Sequence, residues 1–376
     1  MAKRGGNVYK RKDGRWEGRI AKDYNEKGKI VYAYFYGHSC KEVKDKIFNY
    51  SPYIQGYLES NEIEGTPRFN DILNVWLKTK EVRLKKSSYV KYFKFVDKHI
   101  RSSLGDYIVT DISNAVLTSY ILEKRKAQKH GLSERTIKDI LKIIKSVLRF
   151  AQKEGILSAS FNVNFTFPSE KPKEMRVFTK EEQTALEKYL CSDLDVSKLG
   201  VLLCLYTGLR IGEICALKWG DIALEQHTLT VNQTVQRVQN VDEVSTSKKT
   251  EVIFSKPKSG CSSRTIPLPE CLVEKLKAFK IDAPNTYFLT GETWACVEPR
   301  TYQNRFKQYV NKSGIKDANF HSTRHTFATR CVELGFDLKS LSEILGHANV
   351  TITLNLYVHP SFESKRKNMN KLTYMH

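Results

Sequence analysis

Long apolar runs are missing from this sequence. The longest, around Val201 to Tyr206, falls far short of the roughly 20 residues a bilayer-spanning helix needs, and the opening MAKRGGNVYK has no apolar signal-peptide core. The expectation is a cytoplasmic chain with no membrane partner. Paired cysteines are missing too. Cys40, Cys191, Cys204, Cys215, Cys261, Cys271, Cys296 and Cys331 are scattered, mostly among apolar neighbours, with no C-x-x-C pair. Neither a disulfide framework nor a zinc site is suggested, and the cysteines read as free, mostly packed thiols. No internal repeat or low-complexity tract interrupts the chain. Acidic residues are scarce relative to basic ones: 41 Asp+Glu face 62 Lys+Arg, a net charge of +21. Such an excess points to a polyanionic partner, nucleic acid ahead of an anionic membrane surface. At 376 residues the chain has room for two or three domains and a sizeable core.

Three textures follow one another. Residues 1–65 contain short β-rich runs broken by Lys12-Asp13-Gly14 and Asn25-Glu26-Lys27-Gly28, turn chemistry for a three-stranded antiparallel meander, with a helix expected over Cys40 to Tyr50. The first 50 residues hold 13 Lys/Arg against 6 Asp/Glu, interleaved with Tyr9, Trp16, Tyr32, Tyr34 and Tyr36. Such a ribbon can enter a DNA major groove and read base edges. Equally, its aromatics can pack on the helix. Residues 66–165 read as helical throughout. Ser133 is the expected N-cap of a helix burying Ile137, Ile140, Leu141, Ile144, Val147, Leu148 and Ala151, with Lys138, Lys142, Lys145 and Arg149 on another face. The window Lys78 to Arg101 holds nine Lys/Arg with Tyr89, Tyr92, Phe93 and Phe95 among them. A charge run is ordinarily a solvated face, but two basic faces in one small domain favour a phosphate-tracking surface. Residues 166–175, within a Pro-bearing stretch, read as a linker.

The third segment, 176–376, mixes helices with a short sheet. Thr179 to Glu182 has the pattern of a capping box. An apolar helix through Leu199 to Tyr206 ends at Thr207-Gly208, and the chain restarts at once, leaving Arg210 at a helix start where free N–H groups and the dipole favour an anion. Glu213, one turn on, can orient the guanidinium; taken alone, the two are a surface ion pair. Strand-like runs, Leu229 to Val235, Val252 to Phe254 and Arg264 to Leu268, surround a tip at Lys256-Pro257-Lys258-Ser259-Gly260. A lysine on such a tip suits protonation of a leaving oxygen; Lys256 and Lys258 compete for it, and either alone reads as a phosphate contact. His321 and Arg324 share a helical face, with an apolar stripe of Phe320, Phe327, Cys331 and Leu334 elsewhere. His321 and His325 at i, i+4 lack the glutamate and third ligand of a zinc site. Leu338, Leu341, Ile344 and Leu345 form a helix closed by Gly346, with His347 directly after it and Tyr357 beyond a further short helix. A lone tyrosine or histidine is more often a satisfied packing residue than a catalyst, and read one at a time these residues go no further.

In this order, Arg210, Lys258, His321-x-x-Arg324, Leu345-Gly346-His347 and Tyr357 resemble the tyrosine recombinase (phage integrase) family, of the type carried by phages and integrative elements such as conjugative transposons. The resemblance covers about 176–357, and Glu213 falls on the family's acidic companion to the first arginine. The second segment is similar to the family's helical core-site-binding domain and the first to its arm-site-binding β-sheet. The implied fold is multidomain: a small three-stranded β-sheet plus helix over 1–65, an all-α domain over 66–165, a linker over 166–175, and a mixed α+β catalytic domain, mainly helical with a small antiparallel sheet, over 176–376. The implied activity is site-specific recombination that integrates and excises a mobile element through a 3′-phosphotyrosyl link, with no metal or other cofactor. Tyr357 would attack the phosphate and Arg210 and Arg324 would hold its non-bridging oxygens. Lys258 would protonate the 5′ oxygen, while His321 and His347 would assist proton transfer or bond the phosphate. Implied partners are double-stranded DNA attachment sites, core and arm, a homotetramer on DNA, and an excisionase or host DNA-bending protein. The tail from His359 to His376 reads as a docking element or a basic tail. Rival readings are a type IB topoisomerase and a non-catalytic DNA-binding regulator on a recombinase scaffold; a metal-dependent nuclease would need carboxylates that HSTRH does not offer.

Overall fold

The computed structural model describes residues 8–11, 13–24, 30–40, 42–43, 65–126, 131–158, 160–162, 175–241, 249–255, 263–357, 366 and 369–370. The chain divides into two compact units, 1–172 and 173–376.

In the first unit, β1 (Val8–Lys10), β2 (Trp16–Tyr24) and β3 (Ile30–Gly37) form the expected antiparallel meander. Its first turn carries Gly14 at φ 86° beside Asp13, whose carboxylate accepts the Arg15 N–H at 3.1 Å. The second expected turn lies outside the described residues. So does most of the helix anticipated over Cys40 to Tyr50; its first bond, from the Val43 N–H to the Ser39 carbonyl, is present. The register sets Glu17 opposite Tyr9 and Tyr36, and Arg19 opposite Tyr34. Because side chains alternate along a strand, these five share one face. On it Tyr9, Tyr34 and Tyr36 are exposed rather than packed, Arg19 lies over the Tyr32 ring, and buried Glu17 bonds both the Tyr9 hydroxyl and Arg11.

The helical part comprises α1 (Phe69–Arg83), α2 (Lys86–Phe95), a π-helical turn (Val96–Arg101), α3 (Asn114–Lys126) and α4 (Glu134–Lys153). Ser133 caps α4 by accepting the Thr136 N–H at 3.2 Å, and all seven apolar positions expected to face inward are buried. They pack against Phe69, Trp76 and Ile100. Lys142 and Arg149 are exposed, as a basic outer face requires, while Lys138 and Lys145 are half-buried. Tyr89, Tyr92, Phe93 and Phe95 pack part-buried against the core.

The second unit opens with α5 (Lys180–Ser192), begun by the expected capping box of Thr179 and Glu182, then α6 (Val196–Thr207) and α7 (Ile211–Ala216). Two small antiparallel sheets follow: β4 (Ile222–Ala223), β5 (Thr228–Val231) and β8 (Arg264–Pro267) in one, β6 (Thr234–Gln239) and β7 (Thr250–Ser255) in the other. The run expected over Leu229 to Val235 is therefore two strands, in different sheets. β7 pairs with β6 and β8 with β5, so the strands on either side of the tip expected at Lys256 to Gly260 belong to different sheets; the tip itself lies outside the described residues. The helices α8 (Glu270–Lys277), α9 (Pro299–Lys312), α10 (His321–Glu333), α11 (Leu338–Leu345) and α12 (Val350–Tyr357) complete the unit.

Its core is built on α6, with Leu199, Leu203, Tyr302, Phe306 and Phe320 buried together. α7 sits so close to β6 that a Cβ on Gly212 would fall 2.4 Å from Thr234 Oγ1. Of the stripe expected on α10, Phe320 and Cys331 are buried but Leu334, at the helix end, is exposed. Cys204, Cys215 and Cys331 are buried, whereas Cys191 and Cys271 are exposed. Among the described residues no helix is long and apolar enough to cross a membrane.

Candidate active site

The site is organised by two helix ends. α6 closes at Gly208 (φ 67°) and α11 at Gly346 (φ 65°), both in the left-handed region that spares glycine the Cβ penalty. A helix C-terminus leaves carbonyls without intrahelical donors and carries the negative end of the dipole, so cations settle there. At α11 three guanidiniums do. Arg264 Nε donates to the Ile344 carbonyl (2.5 Å), Arg324 Nη2 to that of Leu345 (2.8 Å) and Arg210 Nη2 to that of Gly346 (3.4 Å). Arg324 reaches across to α6 as well, donating through Nη1 to the Gly208 carbonyl at 2.7 Å. The segment from Ile344 to Gly346 is thus the seat of three arginines from separate parts of the unit.

Arg210 is the N-cap of α7, as its position after Gly208 predicted, and bonds Glu213 at 2.8 Å. The carboxylate is not a surface partner: it is buried and is also held by Arg264, at 2.9 Å between two side chains that are each 5% exposed. Burial alone would raise the Glu213 pKa, but the hydrogen bond and charge of Arg264, then the charge of Arg210, hold it below the usual range. Arg264, missed from the sequence as a site residue, fixes Arg210 through Glu213.

Arg324 is 2% exposed. Burial first, and the charge of Arg210 next, push its guanidinium down to about 9. A guanidinium that burial and a neighbouring cation both disfavour gains from an anion bound beside it. His347, after the α11 cap, accepts from Arg324 Nη2 at Nε2 (2.8 Å), because a guanidinium can only donate. Its proton therefore sits on Nδ1, which donates to Thr353 Oγ1 at 2.8 Å. Burial and then the Arg324 and Arg210 charges bring His347 down to about 4, so the ring is neutral at pH 7.

Tyr357 is the last residue of α12, 7% exposed, its ring packed among Ala328, Cys331, Leu341 and Leu345. The ring lies parallel to that of His347, with centroids 6.5 Å apart, and its hydroxyl meets His325 Nδ1 at 2.9 Å. Burial raises the phenol pKa and Arg324 and Arg210 pull against that rise. His321, exposed at the start of α10, packs edge-on against His325 at 4.9 Å between centroids. Its imidazole is lowered by desolvation of its inner side and by Arg324 and Arg210. Lys258 and its rival Lys256 lie outside the described residues. The segment carrying them leads directly into Arg264, the first residue of β8.

Five of the six residues singled out from the sequence, Arg210, His321, Arg324, His347 and Tyr357, therefore converge. Sequence reasoning missed Arg264, Thr353 and His325. His325 was set aside there with the zinc reading, and its contact with Tyr357 spans 32 positions in the chain. Among the described residues no three His, Cys, Asp or Glu side chains cluster as metal ligands.

Comparison with known proteins defines the class. The profile of the phage integrase family matches residues 176–364, just over half the chain, and that of the phage integrase N-terminal SAM-like domain matches residues 68–124. A tyrosine recombinase XerC-like protein of Caldanaerobacter subterraneus subsp. tengcongensis is 29% identical over 364 residues, covering 89% of this chain and 90% of that protein. In fold, the chain is similar to a Tn1549 transposon integrase in complex with circular intermediate DNA, with a TM-score of 0.65 at 21% identity over 82% of this chain and 100% of that one. It is also similar to lambda integrase from a tetramer bound to a Holliday junction, with a TM-score of 0.55 at 19% identity over 94% and 95%. The chain belongs to the phage integrase family. Its activity is that of a tyrosine recombinase, the cutting and rejoining of DNA at specific sites.

Proposed function

We propose that Tyr357 is the nucleophile and that the pocket beside it receives the DNA phosphate. What supports this most is the meeting of a nearly buried tyrosine at the end of α12 with Arg210, Arg324 and two neutral imidazoles. Attack would form a bond from Tyr357 Oη to phosphorus and release a 5′ hydroxyl, leaving a 3′-phosphotyrosyl ester. That ester conserves the energy of the bond it replaces, so a 5′ hydroxyl from a second duplex reverses the step. Arg210 and Arg324 neutralise the non-bridging oxygens, whose charge grows in the transition state. Lys258 protonates the departing oxygen, and His321 stands at the rim of the pocket as a phosphate donor. His347 acts through Arg324: with its Nε2 accepting from the guanidinium, it orients that cation.

Around this chemistry, residues 1–65 bind arm sites through the tyrosine- and arginine-bearing face of the meander, and 66–165 bind core sites. Residues 166–175 link these to the catalytic domain, 176–376. Four copies act on two paired duplex sites of a mobile element, with an excisionase or a host DNA-bending protein as accessory.

The test uses nicked duplexes tiled across the DNA flanking the gene, incubated in EDTA with wild type and with Tyr357→Phe and resolved on a denaturing gel. A nick next to the cut lets the short fragment diffuse away and traps the covalent intermediate. The expected result is an SDS-stable adduct with wild type on one tile and none with the variant, which still binds. Binding without an adduct from either protein would refute the assignment and favour a regulator.

A further inference from the structure

We propose that His325 takes the proton from the Tyr357 hydroxyl as the tyrosine attacks phosphorus, and returns it when the link is undone. The inference rests on the reading of Tyr357 as the nucleophile and adds the group that activates it.

His325 Nδ1 stands 2.9 Å from Tyr357 Oη, within the range for direct proton transfer. The other two imidazoles are less suited to this role. Both His347 nitrogens are engaged, one with Arg324 and one with Thr353. His321 faces the His325 ring rather than the tyrosine. A phenol O–H is a better donor than a neutral imidazole N–H, and an imidazole nitrogen a better acceptor than a phenol oxygen. The tyrosine therefore donates, and Nδ1 is the free base.

Burial and the surrounding charge keep the proton on the tyrosine in the free protein. Burial first, then His321 and Arg324 on the same helix, bring His325 down to about 4, while burial raises the phenol. In this state proton transfer is strongly uphill. A phosphodiester bound between Arg210 and Arg324 adds one negative charge to that field, and the transition state adds more. Both changes favour a proton on Nδ1. Deprotonation of Tyr357 is thus coupled to a seated phosphate.

The step balances. The Tyr357 Oη–P bond forms and the P–O5′ bond breaks. The phenolic proton moves to His325 Nδ1, and the 5′ oxygen takes a separate proton from the acid, the role given to Lys258. Religation returns both.

The experiment measures single-turnover adduct formation by the full chain on the reactive nicked tile, with an ordinary phosphodiester and with a 5′-bridging phosphorothiolate, whose sulfur leaves without an acid. The comparison is among wild type, Tyr357→Phe and His325→Asn. The Asn amide oxygen sits where Nδ1 was and still accepts the hydrogen bond but cannot take the proton. The expected loss for His325→Asn is about 100-fold or more at pH 7, within the range typical of a general base. That loss should persist on the sulfur substrate and shrink as pH rises toward the tyrosine's own ionisation, with DNA affinity unchanged. If His325→Asn does not fold, His325→Gln, which places no acceptor at Nδ1, must show the same loss. A rate within about 3-fold of wild type, or full rescue by the sulfur leaving group, would refute the proposal while Tyr357 stood. Absence of an adduct from wild type, or its persistence in Tyr357→Phe, would instead defeat the underlying assignment.

Discussion

Glu213 and Arg264 form an ion pair at 2.9 Å that water scarcely reaches, and the same carboxylate holds Arg210 on its other side. The two arginines are not equivalent partners. Replacing Glu213 with Gln leaves the Arg264 guanidinium without its counter-charge in the interior, which should cost about 3–5 kcal/mol of stability. Replacing Arg264 with Met leaves Glu213 its bond to Arg210 and should cost clearly less. Urea unfolding of the two variants measures the asymmetry, and equal losses would contradict it.

Gly208 is constrained twice. Its φ of 67° disfavours any side chain, and a Cβ would lie 2.7 Å from Phe327 Cδ1 and 2.8 Å from Leu345 Cδ2. Gly208→Ala should lower stability by about 2–4 kcal/mol through strain and overpacking. It should also slow adduct formation, since the Gly208 carbonyl is one of the acceptors of Arg324. A denaturant midpoint and an adduct time course together check this.

Thr353 is buried on the helix that carries Tyr357 and fixes the His347 tautomer. Thr353→Val deprives the Nδ1–H of its acceptor at a cost of about 1–3 kcal/mol. If His347 orients Arg324, the adduct rate should fall about tenfold, the effect of roughly 1.4 kcal/mol, with DNA affinity little changed. Thr353→Ser, which keeps the hydroxyl, should restore it. A slow Ser variant would argue for a packing role.

The two buried-edge imidazoles make acid destabilising. His325 and His347 both come down to about 4 in the folded chain, from an ordinary 6.5. Between those values the unfolded chain binds more protons, so stability falls as pH drops from about 6.5 to about 4 and levels off below. The urea midpoint should decline over that window, and less steeply in His347→Gln. An unchanged slope would show that His347 is not held neutral by the fold.

Much of this protein was legible in one dimension, because the signals were local. The seven apolar positions of the helix after Ser133 recur at helical spacing, and the fold buries all of them. Thr179 and Glu182 cap a helix as their spacing required, and Gly208 and Gly346 end helices where the apolar patterns stop. Capping, periodicity and left-handed glycines act within a few residues. Leu334 was misjudged because helical periodicity does not say where the helix stops being covered: it lies at the end of α10 and is exposed. The run from Leu229 to Val235 was joined because β-propensity does not show a change of sheet; the partners Ile266 and Phe254 of Leu229 and Val235 decide it.

By itself the sequence determined the order and chemistry of the site: arginine at a helix start, His-x-x-Arg on one helix, histidine after a helix stop, and tyrosine one short helix later. Only the tertiary structure decided how these groups are used. It brought the end of α11 against three arginines, gave Glu213 a second buried cation, set the proton of His347 on Nδ1 through Thr353, and brought His325 to the Tyr357 hydroxyl. Each of these depends on a distance between residues remote in the chain, and on the low dielectric that burial creates. No local pattern carries either.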